Sequence, residues 1–319
     1  MLNNTMRYVV TGSAGFIGHH ICGILLEQGC AVDGVDAFTD NYDPSLKRAN
    51  SAWLARHERY RNVELDLATA PIDDVLTGVD AVIHLAAQPG VRLSWSDGFP
   101  VYVERNITAS QRLLEAARRT RVPRVVLASS SSVYGNATER PIAEDAATRP
   151  FSPYGVTKLA MEQLASAYGD NWGLSTVVLR YFTVYGPGQR PDMALHRFIA
   201  AVAAGAPVTV YGDGQQVRDF TYVSDAAAAT LGAVEADVAP ASVFNVAGGS
   251  PSTVNDLLRL VSEHVGRPLN TRHLPAQAGD VHVTHGATDR ARRVLRWQPE
   301  VPLDDGVKLQ VVDQLGSGR

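Results

Sequence analysis

Short apolar runs punctuate the first 180 residues. Arg7 to Thr11, Ala31 to Val35, Val63 to Leu67, Ala81 to Ala87, Val125 to Ala128 and Ser175 to Leu179 each read as a buried strand. Between two of them, Val101 to Arg119 places Ile107, Leu113, Leu114 and Ala117 at helical spacing, which predicts an amphipathic helix. Strands alternating with helices in this way specify an α/β fold, a right-handed, doubly wound parallel sheet. In such sheets ligands bind beyond the carboxyl ends of the strands.

After Leu179 the alternation stops and a smaller α/β C-terminal lobe begins. Val208 to Tyr211 reads as a strand, followed by the turn Gly212-Asp213-Gly214. Ala241 to Ala247 reads as a strand returning to the main sheet, and Thr253 to Val265 as a helix. Trp297 and the C-terminal helix are assigned to packing. No repeat, low-complexity tract or long linker interrupts the chain.

The first strand runs into Gly12-Ser13-Ala14-Gly15-Phe16-Ile17-Gly18 and then into a helix ending near Gly29. Glycines spaced G-x-x-G-x-x-G between a strand and a helix let the backbone turn tightly and approach a pyrophosphate at the helix N-terminus. The second strand delivers Asp36, whose carboxylate accepts hydrogen bonds from an adenosine ribose diol and repels a 2′-phosphate. That favours NAD over NADP. Asp66 stands at the exposed end of the third strand. His84, alone inside an apolar strand, reads as packed core.

A second group of polar residues begins where the fifth strand ends, at Ser129-Ser130-Ser131-Ser132. Further on, Tyr154 and Lys158 lie at i and i+4, one turn apart on one helix face. An ammonium beside a phenol lowers the cost of phenolate, whose ordinary pKa is about 10. With a serine hydroxyl brought to the same place, the group is a general acid/base for a sugar or alcohol hydroxyl. Taken alone, Tyr-x-x-x-Lys reads sooner as a chance helix-surface pair; the rest of the chain reverses that.

Composition narrows the picture further. The chain has 319 residues, 45% of them hydrophobic and 19% charged, with a net charge of −4. This is the profile of an enzyme-sized globular protein, with nothing to suggest a nucleic-acid or membrane partner. The N-terminus, Met1 to Met6, lacks the apolar core of a signal peptide, so a cytoplasmic location is expected. Cys22 and Cys30 are expected to be buried thiols, and no metal site is expected.

Thr11-Gly12-x-x-Gly15-x-x-Gly18, the run His84-Leu85-Ala86-Ala87, Ser130-x-x-Val133-Tyr134-Gly135 and Tyr154-x-x-x-Lys158 occur in this order. With them the chain resembles the extended short-chain dehydrogenases/reductases, in their nucleotide-sugar epimerase and dehydratase branch, over nearly its whole length. The resemblance implies a Rossmann domain over 1–180, with 219–247 returning to it, and a nucleotide-sugar lobe over 181–218 and 248–319. It implies bound NAD contacted by Gly12, Gly15, Phe16, Ile17, Gly18, Asp36, Asp66, Leu67, Leu85, Ala86 and Ala87. It also implies Tyr154 as the acid/base, Lys158 on the nicotinamide ribose and Ser130 as the hydroxyl partner of Tyr154. A homodimer is implied through the helices around Val101 to Arg119 and Pro153 to Tyr168.

Dehydratases of this family carry Asp-Glu directly after the hydroxyl residue, and its sugar-acid decarboxylases a Glu one residue later. Ser131 and Ser132 occupy those positions here, which argues for plain epimerisation. Gln88 to Ser94 and Tyr181 to Ala194 resemble segments of the uronate-specific members, with Thr183 where glucose-type epimerases usually have Asn. On chemistry alone, hydroxyls at Ser131, Ser132 and Thr183 with a guanidinium from Arg92 or Arg190 suit a carboxylate. Phosphate binding or loop bracing is the alternative for both arginines. The resemblance further implies Arg218 on the nucleotide diphosphate, Asp280 on the ribose and Tyr211 among the substrate-binding residues. Many relatives have Arg where Gln277 stands, which leaves one phosphate contact open. The expected reaction is C4 epimerisation of UDP-glucuronate through a 4-keto sugar. A neutral UDP-hexose or UDP-N-acetylhexosamine epimerase is the alternative. A UDP-glucuronate decarboxylase and a catalytically silent NAD-binding regulator stand behind it.

Overall fold

The computed structural model describes residues 6–316. Most of the N-terminal segment read above as free of a signal peptide lies outside them. The first half runs β1 (Arg7–Thr11), α1 (Phe16–Glu27), β2 (Ala31–Asp36), α2 (Pro44–Leu54), β3 (Tyr60–Glu64), α3 (Asp73–Leu76) and β4 (Ala81–His84). Then come α4 (Phe99–Tyr102), α5 (Ala109–Thr120), β5 (Val125–Ser130), α6 (Pro153–Trp172) and β6 (Thr176–Tyr181). The second half contributes β7 (Thr183–Tyr185), α7 (Ala194–Ala203), β8 (Val208–Tyr211), β9 (Val217–Tyr222), α8 (Val223–Glu235) and β10 (Ser242–Val246). It closes with β11 (Pro251–Thr253), α9 (Val254–Val265), β12 (Thr271–Leu274), α10 (Asp289–Val294) and α11 (Leu303–Gly316).

Seven strands form one parallel sheet in the order β10-β6-β5-β4-β1-β2-β3. Its central strands are apolar throughout because both faces are covered. Successive side chains of β1 point to opposite faces: Tyr8 and Val10 join a core with Ile21 and Leu25 of α1 and Ala226 of α8. Val9 instead joins a core with Leu113 and Leu114 of α5 and Met161 of α6. The strand order reverses between β1 and β4, so the chain parts there at the carboxyl edge and leaves a crevice.

Three local expectations shift. The third strand is Tyr60–Glu64, not Val63 to Leu67. It is the sheet's edge, so its exposed Arg61, Asn62 and Glu64 hide it from a search for apolar runs, while Leu67 packs into the core beyond it. The helix read from Val101 to Arg119 is three pieces, with a π-helical turn at Val103–Thr108 between α4 and α5. The return to the main sheet expected from 219 begins later. Residues 219–222 belong to β9, which pairs with β7 and β11 in a small separate sheet, and only β10 joins the large one. A third sheet pairs β8 with β12. Cys22 and Cys30 are both buried and free of disulfides. No described helix is long and apolar enough to cross a membrane, and no cluster of metal-ligating side chains occurs among the described residues.

Candidate active site

A cavity of about 670 Å³ opens at the crevice where the strand order reverses. Its floor is the glycine turn after β1. Gly12 adopts φ +71°, and a Cβ there would lie 2.8 Å from the Ala86 nitrogen, so only glycine allows the β1 turn to pass the end of β4. A Cβ on Gly18 would strike the Gly12 carbonyl, which fixes the start of α1 against the same turn. Phe16, the first residue of α1, is buried, and Gly15 and Ile17 line the cavity beside it. The result is a bare backbone cradle at a helix N-terminus, the fit a dinucleotide pyrophosphate requires.

Asp36 closes β2 at one end of this cavity. Its Oδ1 accepts from the Phe38 nitrogen (2.8 Å) and its Oδ2 from the Ala14 nitrogen (3.1 Å). Burial pushes its carboxyl above the usual range, while the Phe38 amide and the Lys47 charge pull it back. Each oxygen keeps a further acceptor site for a ribose diol. Lys47 donates to Thr39 and Asn41 (2.6–3.0 Å), bracing the loop that walls this end. Asp66, Leu67, Leu85, Ala86 and Ala87 line the remainder of the cofactor half.

The opposite half is built by β5 and α6. The Ser152 hydroxyl caps α6 by accepting from the Gly155 nitrogen (3.1 Å), and Pro153 follows at the first helical position. This start places Tyr154 and Lys158 on the face toward the cavity, which both line together with Ser130. Burial raises the Tyr154 phenol above its ordinary range, and the Ser130 hydroxyl, followed by the Arg190 charge, draws it down. Burial also lowers the Lys158 ammonium to about 8, against the opposing pull of Glu162. Its Nζ donates to the Ala128 carbonyl (2.8 Å). An edge-on contact with Tyr102 (centroids 6.2 Å apart) backs the Tyr154 ring.

The remaining candidates fall into two groups. Arg92, Tyr211 and Asp280 meet at one corner: the Arg92 guanidinium lies 4.1 Å from the Tyr211 ring centroid, and its Nη2 is 3.3 Å from Asp280 Oδ2. Arg218 belongs to this corner, donating to the Val217 carbonyl (2.9 Å) and carrying the electrostatic influence of both Asp280 and Arg92. Arg190 lines the main cavity but is paired through two 2.9 Å contacts with Asp192. Ser131 and Ser132 form a single turn after β5, where Ser130 Oγ donates to Ser132 Oγ (3.1 Å). Thr183 opens β7 and is half-buried. Of these, Arg92, Arg190 and Asp280 line the cavity, whereas Ser131, Ser132, Thr183, Tyr211 and Arg218 stand outside its lining. Gln277 donates only to the Pro275 carbonyl (3.3 Å).

The π turn brings in residues that a search for helical spacing passes over. Its widened backbone aims consecutive side chains at Gln88. Arg105 donates to the Gln88 side chain (2.9 Å). Asn106 accepts from the Gln88 nitrogen (2.7 Å) and donates to its carbonyl and to Thr157 of α6 (both 3.0 Å). These bonds tie the loop after β4 to the helix of Tyr154 and Lys158. The sequence signal was an Asn inside an apolar-periodic helix.

Residues 8–247 match the model of the NAD dependent epimerase/dehydratase family. The chain belongs to that family. NAD is therefore its cofactor, and the glycine cradle and Asp36 fit that group. Among its relatives, an uncharacterized UDP-glucose epimerase of Bacillus subtilis is 39% identical over 96% of this chain and 97% of its own length. The UDP-glucuronate 4-epimerase of Thermodesulfobacterium geofontis is 38% identical over 95% of this chain and 94% of its own. The UDP-glucuronic acid 4-epimerase of Bacillus cereus, solved with UDP-glucuronic acid and NAD, superposes with a TM-score of 0.95 at 37% identity. That match covers 98% of this chain and 100% of the other.

Proposed function

We propose that this epimerase interconverts UDP-glucuronate and UDP-galacturonate at C4. The observation that carries the reading is Ser130, Tyr154 and Lys158 converging on one NAD cavity with no carboxylate at 131 or 132. The similarity to UDP-glucuronate 4-epimerases along almost the whole chain supports the substrate.

NAD, when bound, supplies a reversible two-electron oxidant for a sugar carbinol. Tyr154 takes the proton from the C4 hydroxyl and returns it when C4 re-forms with inverted configuration. Ser130 hydrogen-bonds the same oxygen, and the Lys158 charge favours phenolate one helical turn away. Without an acid at 131 or 132, nothing expels a neighbouring hydroxyl, so the 4-keto sugar has only the way back. On this reading Arg218, Arg92, Tyr211 and Asp280 serve the nucleotide end, and Arg190, with the Ser131, Ser132 and Thr183 hydroxyls that lie beyond the cavity lining, serves the C6 carboxylate. Gripping UDP leaves the sugar ring free to present its other face.

The same reading treats 1–180 with α8 and β10 as the NAD-binding domain and the rest as the nucleotide-sugar lobe. It places the protein in the cytoplasm as a homodimer; exposed Val101, Val156 and Trp172 along the α4–α6 side support that pairing. A neutral UDP-hexose is the second reading, favoured by Asp192, which already occupies the Arg190 fork.

The test is proton NMR of products after the purified protein meets UDP-glucuronate or UDP-glucose. UDP-galacturonate from the first, with the second turned over at least tenfold more slowly per unit kcat/KM, is expected, about 1.4 kcal/mol of discrimination. The reverse preference moves the assignment to the neutral sugar. Tyr154→Phe should reduce turnover by about 10²–10⁴-fold while NAD remains bound; a variant retaining more than half its activity removes Tyr154 from the chemistry.

A further inference from the structure

One turn beyond Lys158, α6 carries a second buried charged residue. Glu162 is buried, 5% exposed, and its two oxygens are fully engaged. The Ser129 hydroxyl donates to Oε1, Arg180 Nε donates to Oε1 (3.0 Å), and Arg180 Nη2 donates to Oε2 (2.7 Å). Arg180, on β6, is equally buried and turns its Nη1 away, toward the Tyr134 hydroxyl (2.8 Å) and the Glu144 carbonyl (3.0 Å). Two charges withdrawn from water are a costly way to dock a helix on a sheet, and apolar side chains would do that task as well. The position of this pair suggests another use. Lys158 is 4% exposed, shares the helix face with Glu162, and is bonded to Ala128, the neighbour of the serine that holds Glu162.

We propose that Glu162, locked by Ser129 and Arg180, is a positioning residue that keeps the buried Lys158 ammonium charged at the end of β5. The proposal rests on the role given to Lys158 above. Glu162 is the carboxylate facing that ammonium, and it opposes the effect of burial. From β4, His84 faces it as a neutral ring, since burial holds that imidazole near 3. From β6 comes Arg180, whose charge is committed to Glu162. From the same helix comes Tyr154; Arg105 of the π turn lines the same cavity and donates its Nη1 to Gln88. From the turn after β5 comes Tyr134, whose hydroxyl is bonded to Asn245 and Arg180.

The chain contains only three lysines, Lys47, Lys158 and Lys308. Labelling lysine Cε with carbon-13 in the purified protein therefore gives three resonances whose pH titrations are read individually. Glu162→Gln should lower the Lys158 midpoint by about one pH unit, tenfold in proton affinity, and leave Lys308 unmoved. Glu162→Asp, which keeps a carboxylate, should restore most of the shift. The basic limb of the kcat–pH profile should move with the Lys158 midpoint. Should the single variant fail to fold, Glu162→Gln with Arg180→Met removes both buried charges, a replacement buried pairs often tolerate, and should shift the midpoint the same way by a smaller amount, since the opposing Arg180 charge is gone as well. An unmoved Lys158 midpoint overturns the proposal, even if activity falls, because a purely structural pair would not be read by that resonance. A shifted midpoint in a protein inert toward UDP-glucuronate upholds it and dismisses the substrate assignment instead.

Discussion

His84 shows how one buried side chain links chemistry to stability. Its Nδ1 meets Thr11 Oγ1 (2.8 Å) and its Nε2 meets Ser110 Oγ (3.0 Å), while Ser110 donates its own proton to the Asn106 carbonyl (2.6 Å). Ser110 is thus an acceptor for Nε2–H, and the ring is held neutral. Burial keeps its folded pKa near 3, with the Lys158 charge adding to the effect, against an ordinary 6.5. Between those values the unfolded chain binds a proton that the native one refuses. Stability from this site is therefore complete above pH 6.5 and is lost as pH falls toward 3. His84→Gln should make the fall of Tm with acid shallower, though not flat, since burial also holds His19 near 4. Parallel Tm–pH curves for the two proteins would contradict this. At the cofactor end, Gly12→Ala forces a side chain into φ +71° against β4 and should cost about 1–3 kcal/mol of stability along with bound NAD. Differential scanning fluorimetry and the NAD released on denaturation check both effects.

Elements decide which of these residues meet. β5 separates neighbouring serines by simple alternation: Ser129 turns back to Glu162, and Ser130 turns into the cavity. The turn that follows carries Ser131 and Ser132, and Thr183 opens β7 after β6. This matters because a ketone at C4 of a glucuronate is β to the C6 carboxylate, and such acids lose carbon dioxide when the C5–C6 bond aligns with the carbonyl π system. On the proposed reading, hydrogen bonds from these hydroxyls would hold that bond out of line, each worth about 1.5–3 kcal/mol as a bond to a charged group. Ser132→Ala with Thr183→Ala should therefore release a UDP-pentose or 4-keto-pentose, visible by mass spectrometry as loss of carbon dioxide. Slower epimerisation without that product would remove these hydroxyls from the restraint. The glycine turn and the Tyr154–Lys158 pair were legible in the sequence because each is a local spacing within one strand–helix joint. The partners of the charged groups were not. Arg92 against Tyr211 and Arg180 against Glu162 depend on elements far apart in the chain, and no periodicity records them. The π turn was hidden because one wide turn barely disturbs an apolar stripe.

For the whole molecule, the topology matters more than any single contact. Reversal of strand order at β1 and β4 opens the crevice, and β7, β9 and β11 build a small sheet after β6, contributed by segments far apart in the chain. The doubly wound sheet could be read from the alternation of the first 180 residues. The small sheets could not, since their strands are short and pair across long gaps in the sequence. The glycine turn, Asp36, Ser130, Tyr154 and Lys158 line one cavity, which on the proposed reading lets a redox step at C4 be reversed without cofactor or sugar leaving. The most direct measurement follows the C4 hydrogen itself. UDP-glucuronate deuterated at C4 is converted in ordinary water by the protein as purified, without added NAD, and the product is examined by NMR. UDP-galacturonate with the deuterium still at C4 is expected, because the hydride leaves and returns within one cavity. Product that has exchanged that deuterium for solvent hydrogen would contradict it.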